Sequence, residues 1–417
     1  MSDIQSTMQQ GDFTDNDIRK SLKKAERNHR VKAFLLVTPL IIFVLFTFIF
    51  PLGSMLHRSI SSPTLTQYMP EVAKVMQDWE YKGIPDEAVF KTVAAALVET
   101  RKNKTIGRVA NRLNSEQSGL RSLMTGTARK LQKYKGQDFK SYMIEQNAKW
   151  SNMETWAAFK VLSNSYTMTH YLAALDLEYG PDGSVQARPE AQRIYIDNLL
   201  KTLKLSVIVT LLCIILGYPL AYYLSILPQS KSSLLMILVL LPFWTSLLVR
   251  TSSWMVMLQS KGVVNSLLIK LGFITEPLAL IYNQVGTVVA MTHILLPFLI
   301  LPAYSVMKSI SPDYMRAARS LGAKPANAFF KVYFPQSVPG LSAGAVLVFI
   351  LSIGYYITPA LVGGRTGQMI SNMIAYHMQT SLNWGLGAAL AGTLLFVVLA
   401  LYAIYSRIVG SSELKLG

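Results

Sequence analysis

The sequence predicts an all-α polytopic membrane protein. Half of its residues are hydrophobic (51%), only 15% are charged, and the apolar residues gather in blocks of about twenty. Soluble domains are about one-quarter charged and rarely carry such blocks. Six blocks are long enough to cross a hydrocarbon layer of about 30 Å as helices, near 33–56, 203–224, 234–258, 285–307, 341–362 and 386–408.

The first block, 33–56, follows the polar segment 1–32, and no small-residue cleavage pattern comes after it. It is expected to stay in place as a signal anchor. Arg19, Lys20, Lys23, Lys24, Arg27, Arg30 and Lys32 precede it, so the N-terminus is expected on the cytoplasmic side. With six spans, the loop 308–337 falls on that side too. Its Lys308, Arg316, Arg319, Lys324 and Lys331 face a single acid, Asp313. The loops 261–284 and 363–385 carry few basic residues, as the opposite side requires. Pro297 and Pro302 cut the fourth block, and Gly354 and Pro359 the fifth. Those helices either bend beside protein surfaces or simply tolerate proline, as membrane helices do.

Between the first two spans lies a long interval, 57–197. It reads as a helical extracytoplasmic domain, because 86–104 and 117–135 place apolar residues three and four apart and alternating β runs are almost absent. Pro85-Asp86-Glu87 reads as a helix start and Gly180-Pro181-Asp182-Gly183 as a turn. The domain is either a helical cap or a docking surface for a solute-binding protein. The core of five further spans occupies 198–410.

A formal charge of +17 does not indicate nucleic acid, because the Lys and Arg residues are dispersed along helices and membrane-flanking loops. The lone Cys213 excludes an internal disulfide and sits in an apolar block. No Gly-Lys dipeptide occurs, so the phosphate-cradling loop of an ATPase is absent. Metal-ligand spacings and a nucleophile elbow are absent as well, and the five histidines are scattered. This composition supplies neither an enzyme active site nor a metal site.

The loop "SISPDYMRAARSLGAKPANAFFKVYFPQSVPG" carries the mechanism. Ser311 can cap a helix beginning at Pro312, Asp313 suits its positive end, and Gly322 can take the left-handed conformation that stops it. Ala317 and Ala318 give that helix a smooth face for another protein's groove. Pro325 starts a second turn leading through Phe329, Phe330 and Tyr333 to Pro335. A small rigid lever between two spans results.

This loop resembles the cytoplasmic signature of ABC-importer permeases, which is Glu-Ala-Ala, three residues, Gly, nine residues, then Ile-x-Leu-Pro. Arg316-Ala317-Ala318 fill the first places, Gly322 has the required spacing, and Val332-Tyr333-Phe334-Pro335 fill the last. The departure is Arg316 in place of the acidic residue. The phrases "LGYPLAYYLS", "LPFWTSLLVRTSSW", "LLPFLILPAY" and "ITPALVGG" extend the resemblance over 195–410 and point to the spermidine and putrescine type. The resemblance implies the type I importer permease fold and a lever that inserts into a separate ATPase dimer, which binds ATP and Mg. It further implies a second, related permease chain, a periplasmic solute-binding protein, a place in the bacterial inner membrane, and a polyamine, opine or other small nitrogenous solute.

Candidate pathway residues are Trp244, Trp254, Tyr355, Tyr356 and Tyr376, whose rings can supply cation contacts or form interfacial belts, and Arg250. Arg250 is the only charge well inside a predicted span. It either faces the pathway or snorkels to backbone carbonyls. Two rival classes remain: a secondary transporter or channel, which calls for inverted repeats and buried acids, and a receptor, which calls for a cytoplasmic output domain.

Overall fold

The computed structural model describes residues 15–413, so the first fourteen residues of the 1–32 segment lie outside it. The chain forms two units that divide between His57 and Arg58. The first is helical throughout its described part: Asp15–Val44, a wide turn at Leu45–Ile49, and the helix Phe50–Ile60 as far as His57. The helix Glu26–Ile60 contains the predicted apolar block and extends beyond it at both ends. The wide turn comes just before Pro51, and a second one, Phe329–Tyr333, just before Pro335. In each case proline cannot donate to the turn below it, and widening that turn keeps its ring clear of the carbonyl.

The second unit begins with the inserted helical domain. Glu87–Lys102 starts where the sequence predicts, with the Asp86 carboxylate accepting from the Val89 amide. Phe90, Trp150, Trp156 and Phe159 are fully buried, and the Phe90 and Trp156 rings meet edge to face at 4.7 Å. Each indole finds an acceptor: Trp150 Nε1 donates to Thr127 Oγ1 at 3.0 Å and Trp156 Nε1 to the Trp150 carbonyl at 2.9 Å. Buried aromatics thus supply cohesion to a small domain that has no disulfide. A short antiparallel hairpin, Leu177–Tyr179 with Val185–Ala187, departs from the all-helical reading. Its strands are too short to show alternation, and the Gly180–Gly183 turn, with Gly183 at φ +79°, sets the pairing.

Asp176 joins this domain to the spans. Its two carboxylate oxygens accept from the amides of Ile194, Tyr195 and Ile196 at 2.8–3.1 Å, so they cap the helix Tyr195–Ile226 and suit its positive end. His170 lies against Gly385 at the start of the last span, where a Cβ would come within 2.3 Å of its ring. Burial, then the charges of Arg112 and Arg188, pushes the His170 pKa down to about 3, so it is neutral in the folded chain.

Three spans form the central bundle: Tyr195–Ile226, Gln284–Ser309 and Phe334–Gly354. Leu205, Val209, Cys213, Met291, Leu295, Leu299 and Val348 are buried among them. Gly340 and Gly344 stand one turn apart, and a Cβ on either would strike the backbone of the neighbouring span at Pro302 or Leu299, at 2.8 and 2.9 Å. Small residues at this spacing let membrane helices touch without a gap.

Gln284–Ser309 matches the block 285–307 and runs unbroken through Pro297 and Pro302, the proline-tolerant alternative. Two other blocks differ in extent. The block 234–258 is two helices, Gln229–Trp244 and Leu247–Met257, bent by 95°. Ser246 accepts from the Val249 amide and so starts a new helix at the corner. The block 341–362 divides after Gly354 into Phe334–Gly354 and Ile357–Val362, and Pro359 lies in the first turn of the short helix, where no amide is needed. Among the described residues five helices, or six with the bent pair as one, are long and apolar enough to cross a membrane.

Candidate functional site

The lever forms as its capping residues dictate. Ser311 Oγ accepts from the Asp313 amide, Pro312–Ser320 is helical, and Gly322 stops it at φ +89° with open space around its Cα. Arg316 Nη1 pairs with Asp313 Oδ1 at 3.1 Å on its own helix, with both side chains exposed. Such a surface pair contributes well under about 1 kcal/mol and leaves the guanidinium accessible. Ala317 is exposed and Ala318 half-buried. Pro335 is at the start of the span Phe334–Gly354, into which the helix from Pro325 runs without a gap.

The sequence reading missed the lever's outer stripe. Tyr314, Ala317 and Leu321 are three and four residues apart and share one face. Leu321 is 89% exposed, and Tyr314 and Phe330 are also exposed. The spacing 314-317-321 was the available signal. An apolar face left open to water marks a docking surface.

Beneath the stripe, Phe329 stacks on Tyr333 at 5.7 Å, and Tyr222 meets both rings edge to face. Tyr218 OH and Ser337 Oγ share a 2.9 Å hydrogen bond, as do Tyr333 OH and Ser225 Oγ at 3.1 Å. Lys308, at the end of Gln284–Ser309, donates to the Ser225 and Leu227 carbonyls at 3.2 and 3.1 Å and so closes the C-terminus of Tyr195–Ile226. These contacts tie the lever's end of the chain to all three central spans.

At the other end, the structure gathers part of the predicted pathway set. Arg250 is half-buried on Leu247–Met257, and its Nε is buried with no hydrogen-bond partner among the described residues. Trp254, one turn on, donates from Nε1 to His293 Nδ1 at 3.1 Å. Arg250 lies close enough to His293 and Tyr355 for its charge to act on both. Thr251 and Thr358 share a buried 3.2 Å hydrogen bond that pins this helix to the one following Tyr355. His293 was overlooked as one of five scattered histidines, although an ionisable group inside an apolar helix is a functional signal by default.

The other pathway candidates stay apart from this cluster. Trp244 is exposed at the corner of the bent pair, and Tyr376 pairs with the His377 ring at 5.2 Å. Tyr356, beside Tyr355, is 40% exposed, and its carbonyl accepts from Asn372 Nδ2 at 2.9 Å. A glycine knot lies nearby. The Tyr282 amide donates to the Val362 carbonyl at 2.8 Å, Thr287 Oγ1 donates to the Gly367 carbonyl at 3.1 Å, and a Cβ on Gly364 would fall 2.3 Å from the Tyr282 carbonyl.

Apolar spans packed into one bundle, with a short exposed helix between two of them, define a polytopic membrane protein. Residues 194–410 match the family described as "Binding-protein-dependent transport system inner membrane component", and the chain belongs to that family. The spermidine/putrescine transport system permease protein PotB of Escherichia coli K12 is 34% identical over 214 residues, 51% of this chain and 78% of that protein. The inner membrane ABC transporter permease protein YdcU of the same organism is 33% identical over 230 residues, 52% and 72% respectively. A solved bacterial ABC transporter involved in import of the polysaccharide alginate superposes with a TM-score of 0.43 at 19% identity, over 51% of this chain and 79% of that one. The chain is thus an inner-membrane permease subunit rather than an enzyme, and ATP hydrolysis in such systems belongs to a separate subunit.

Proposed function

We propose that this permease takes up a small nitrogenous solute, a polyamine, an opine or a related amino-acid derivative, delivered by a periplasmic binding protein. The relatives named for spermidine and putrescine support the solute class. It works as a heterodimer with a second permease chain, on a dimer of ATPase subunits that bind ATP and Mg. The N-terminus and the lever face the cytoplasm, and the inserted domain faces outward. Asp313, Arg316, Ala317, Ala318, Gly322 and Pro335 make up the coupling element.

One observation carries this reading: the exposed stripe of Tyr314, Ala317 and Leu321 stands on an aromatic cluster that grips the ends of the central spans. A groove in the ATPase covers the stripe, and nucleotide-driven closure moves the lever between two states. The test is co-purification with the ATPase. Leu321→Asp is expected to abolish it and ATP-dependent uptake while the chain remains folded. Uptake by the purified chain without any ATPase would establish a secondary transporter instead. For orientation, cysteines at Lys135 and Ser320 should react with an impermeant maleimide from opposite sides of the membrane, and labelling from one side would reverse the reading.

A further inference from the structure

His293 is exposed on the helix Gln284–Ser309, roughly 13 Å from its first residue at 1.5 Å per residue. It lies well inside the apolar part of that span. Arg250, whose charge acts on this ring, has a buried Nε with no hydrogen-bond partner among the described residues. An arginine near the centre of a lipid-facing helix costs on the order of 3 kcal/mol, so this face meets water or protein rather than acyl chains.

The cluster's polarity follows from its hydrogen bonds. An indole N–H only donates, so the Trp254 bond leaves the lone pair on His293 Nδ1 and the proton of the neutral ring on Nε2. The guanidinium offers donors alone, and Tyr355 adds a hydroxyl. Between Asp197 and Glu413 the sequence holds only two carboxylates, Glu276 in a loop and Asp313 in the lever. Nothing acidic in these spans neutralises Arg250. A bare polyamine finds no carboxylate here, only ring faces and a phenol oxygen beside a fixed positive charge, whereas a carboxylate fits the fork of Arg250.

We propose that Arg250, His293 and Tyr355, oriented by Trp254, form a subsite for a carboxylate on the transported solute, which is therefore an amine that also carries an acid group. The inference rests on the importer reading above and narrows its solute class. The bent segment carries the arginine, and the Thr251–Thr358 bond holds that segment against the short helix that follows Tyr355. Trp254 is a positioning residue, since it acts through the histidine.

The test uses the complete transporter in proteoliposomes, with pairs of probes that differ by one carboxylate: arginine and agmatine, ornithine and putrescine, lysine and cadaverine. The complex should carry the acid-bearing member of at least one pair tenfold or more better than its partner. Arg250→Gln should erase that preference, Arg250→Lys should restore part of it, and His293→Phe should weaken it, all with unchanged assembly. Trp254→Phe should shift the pH profile of uptake, which a purely structural role would not do.

Three results would each overturn the proposal: no acid-bearing probe is carried preferentially, Arg250→Gln lowers both members of a pair equally, or the arginine variants lose the second permease chain. The last would make Arg250 an interface residue. Loss of ATP dependence for whichever probe is carried would count against the importer reading instead, whatever the preference between probes.

Discussion

At the lever end of the bundle the spans meet through side chains, rings of Tyr218, Tyr222, Phe329 and Tyr333 with hydroxyl pairs between them. At the opposite end backbones meet almost directly, around Gly286, Gly363, Gly364 and Gly367 and through the Asp176 cap. Rings can slide and re-pair at small cost, because an edge-to-face contact contributes about 1 kcal/mol and tolerates many geometries. A glycine knot has no such latitude. In the coupling proposed above, the lever end would transmit movement and the opposite end would hold a reference frame.

The sharpest way to break this contrast is to place a side chain in the knot. Gly364→Val meets both a positive φ of +53° and the Tyr282 carbonyl, and should destabilise the chain by about 3 kcal/mol or more, seen as a fall in the thermal midpoint in detergent. Valine at Gly322, on the lever, has open space and only backbone strain, and should cost about 1–2 kcal/mol. Equal losses at the two sites would erase the distinction.

Acid should act on the frame next. The folded-state pKa of His170 is about 3 and the unfolded value near 6.5. The folded chain therefore binds fewer protons between them, so stability is full above about pH 6.5 and is lost as pH falls toward 3. The loss should reach about 2 kcal/mol by pH 5, and His170→Gln should flatten the curve measured by thermal unfolding. A steeper acid loss in that variant would show that another group governs the joint.

The lever end should respond more weakly in stability than in function. Lys308→Met uncovers the Ser225 and Leu227 carbonyls and should cost about 1 kcal/mol, while reducing uptake per ATP hydrolysed. Tyr333→Phe removes only the bond to Ser225 and should cost about 0.5–1 kcal/mol. If it lowers coupling without shifting the midpoint by more than a few degrees, the sliding picture is sharpened.

Much of the lever was legible because its cues are local: Ser311, Pro312 and Gly322 act within one turn of themselves. Span existence was equally plain, since hydropathy needs no partner. The 95° corner was not, because a serine cap in an apolar run is hidden until the chain turns at Thr245 and Ser246. The hairpin escaped because three-residue strands carry no period. Arg250 was legible as an intramembrane charge, but its company was not. His293 is 43 positions away in sequence and joins it only through the bend and the Trp254 bond (293 − 250).

The bare leucine at the lever's tip has a consequence before any transport occurs. Leu321 is 89% exposed beside exposed Tyr314 and Phe330. Under the docking proposed above, a copy that has not found its ATPase would display an apolar tag that an assembled copy hides. Cellular proteases and chaperones read such tags, so subunit balance can be enforced by selective removal of orphans. Pulse-chase turnover should be faster for the chain expressed alone, and Leu321→Asp, though unable to assemble, should outlast the unassembled native chain.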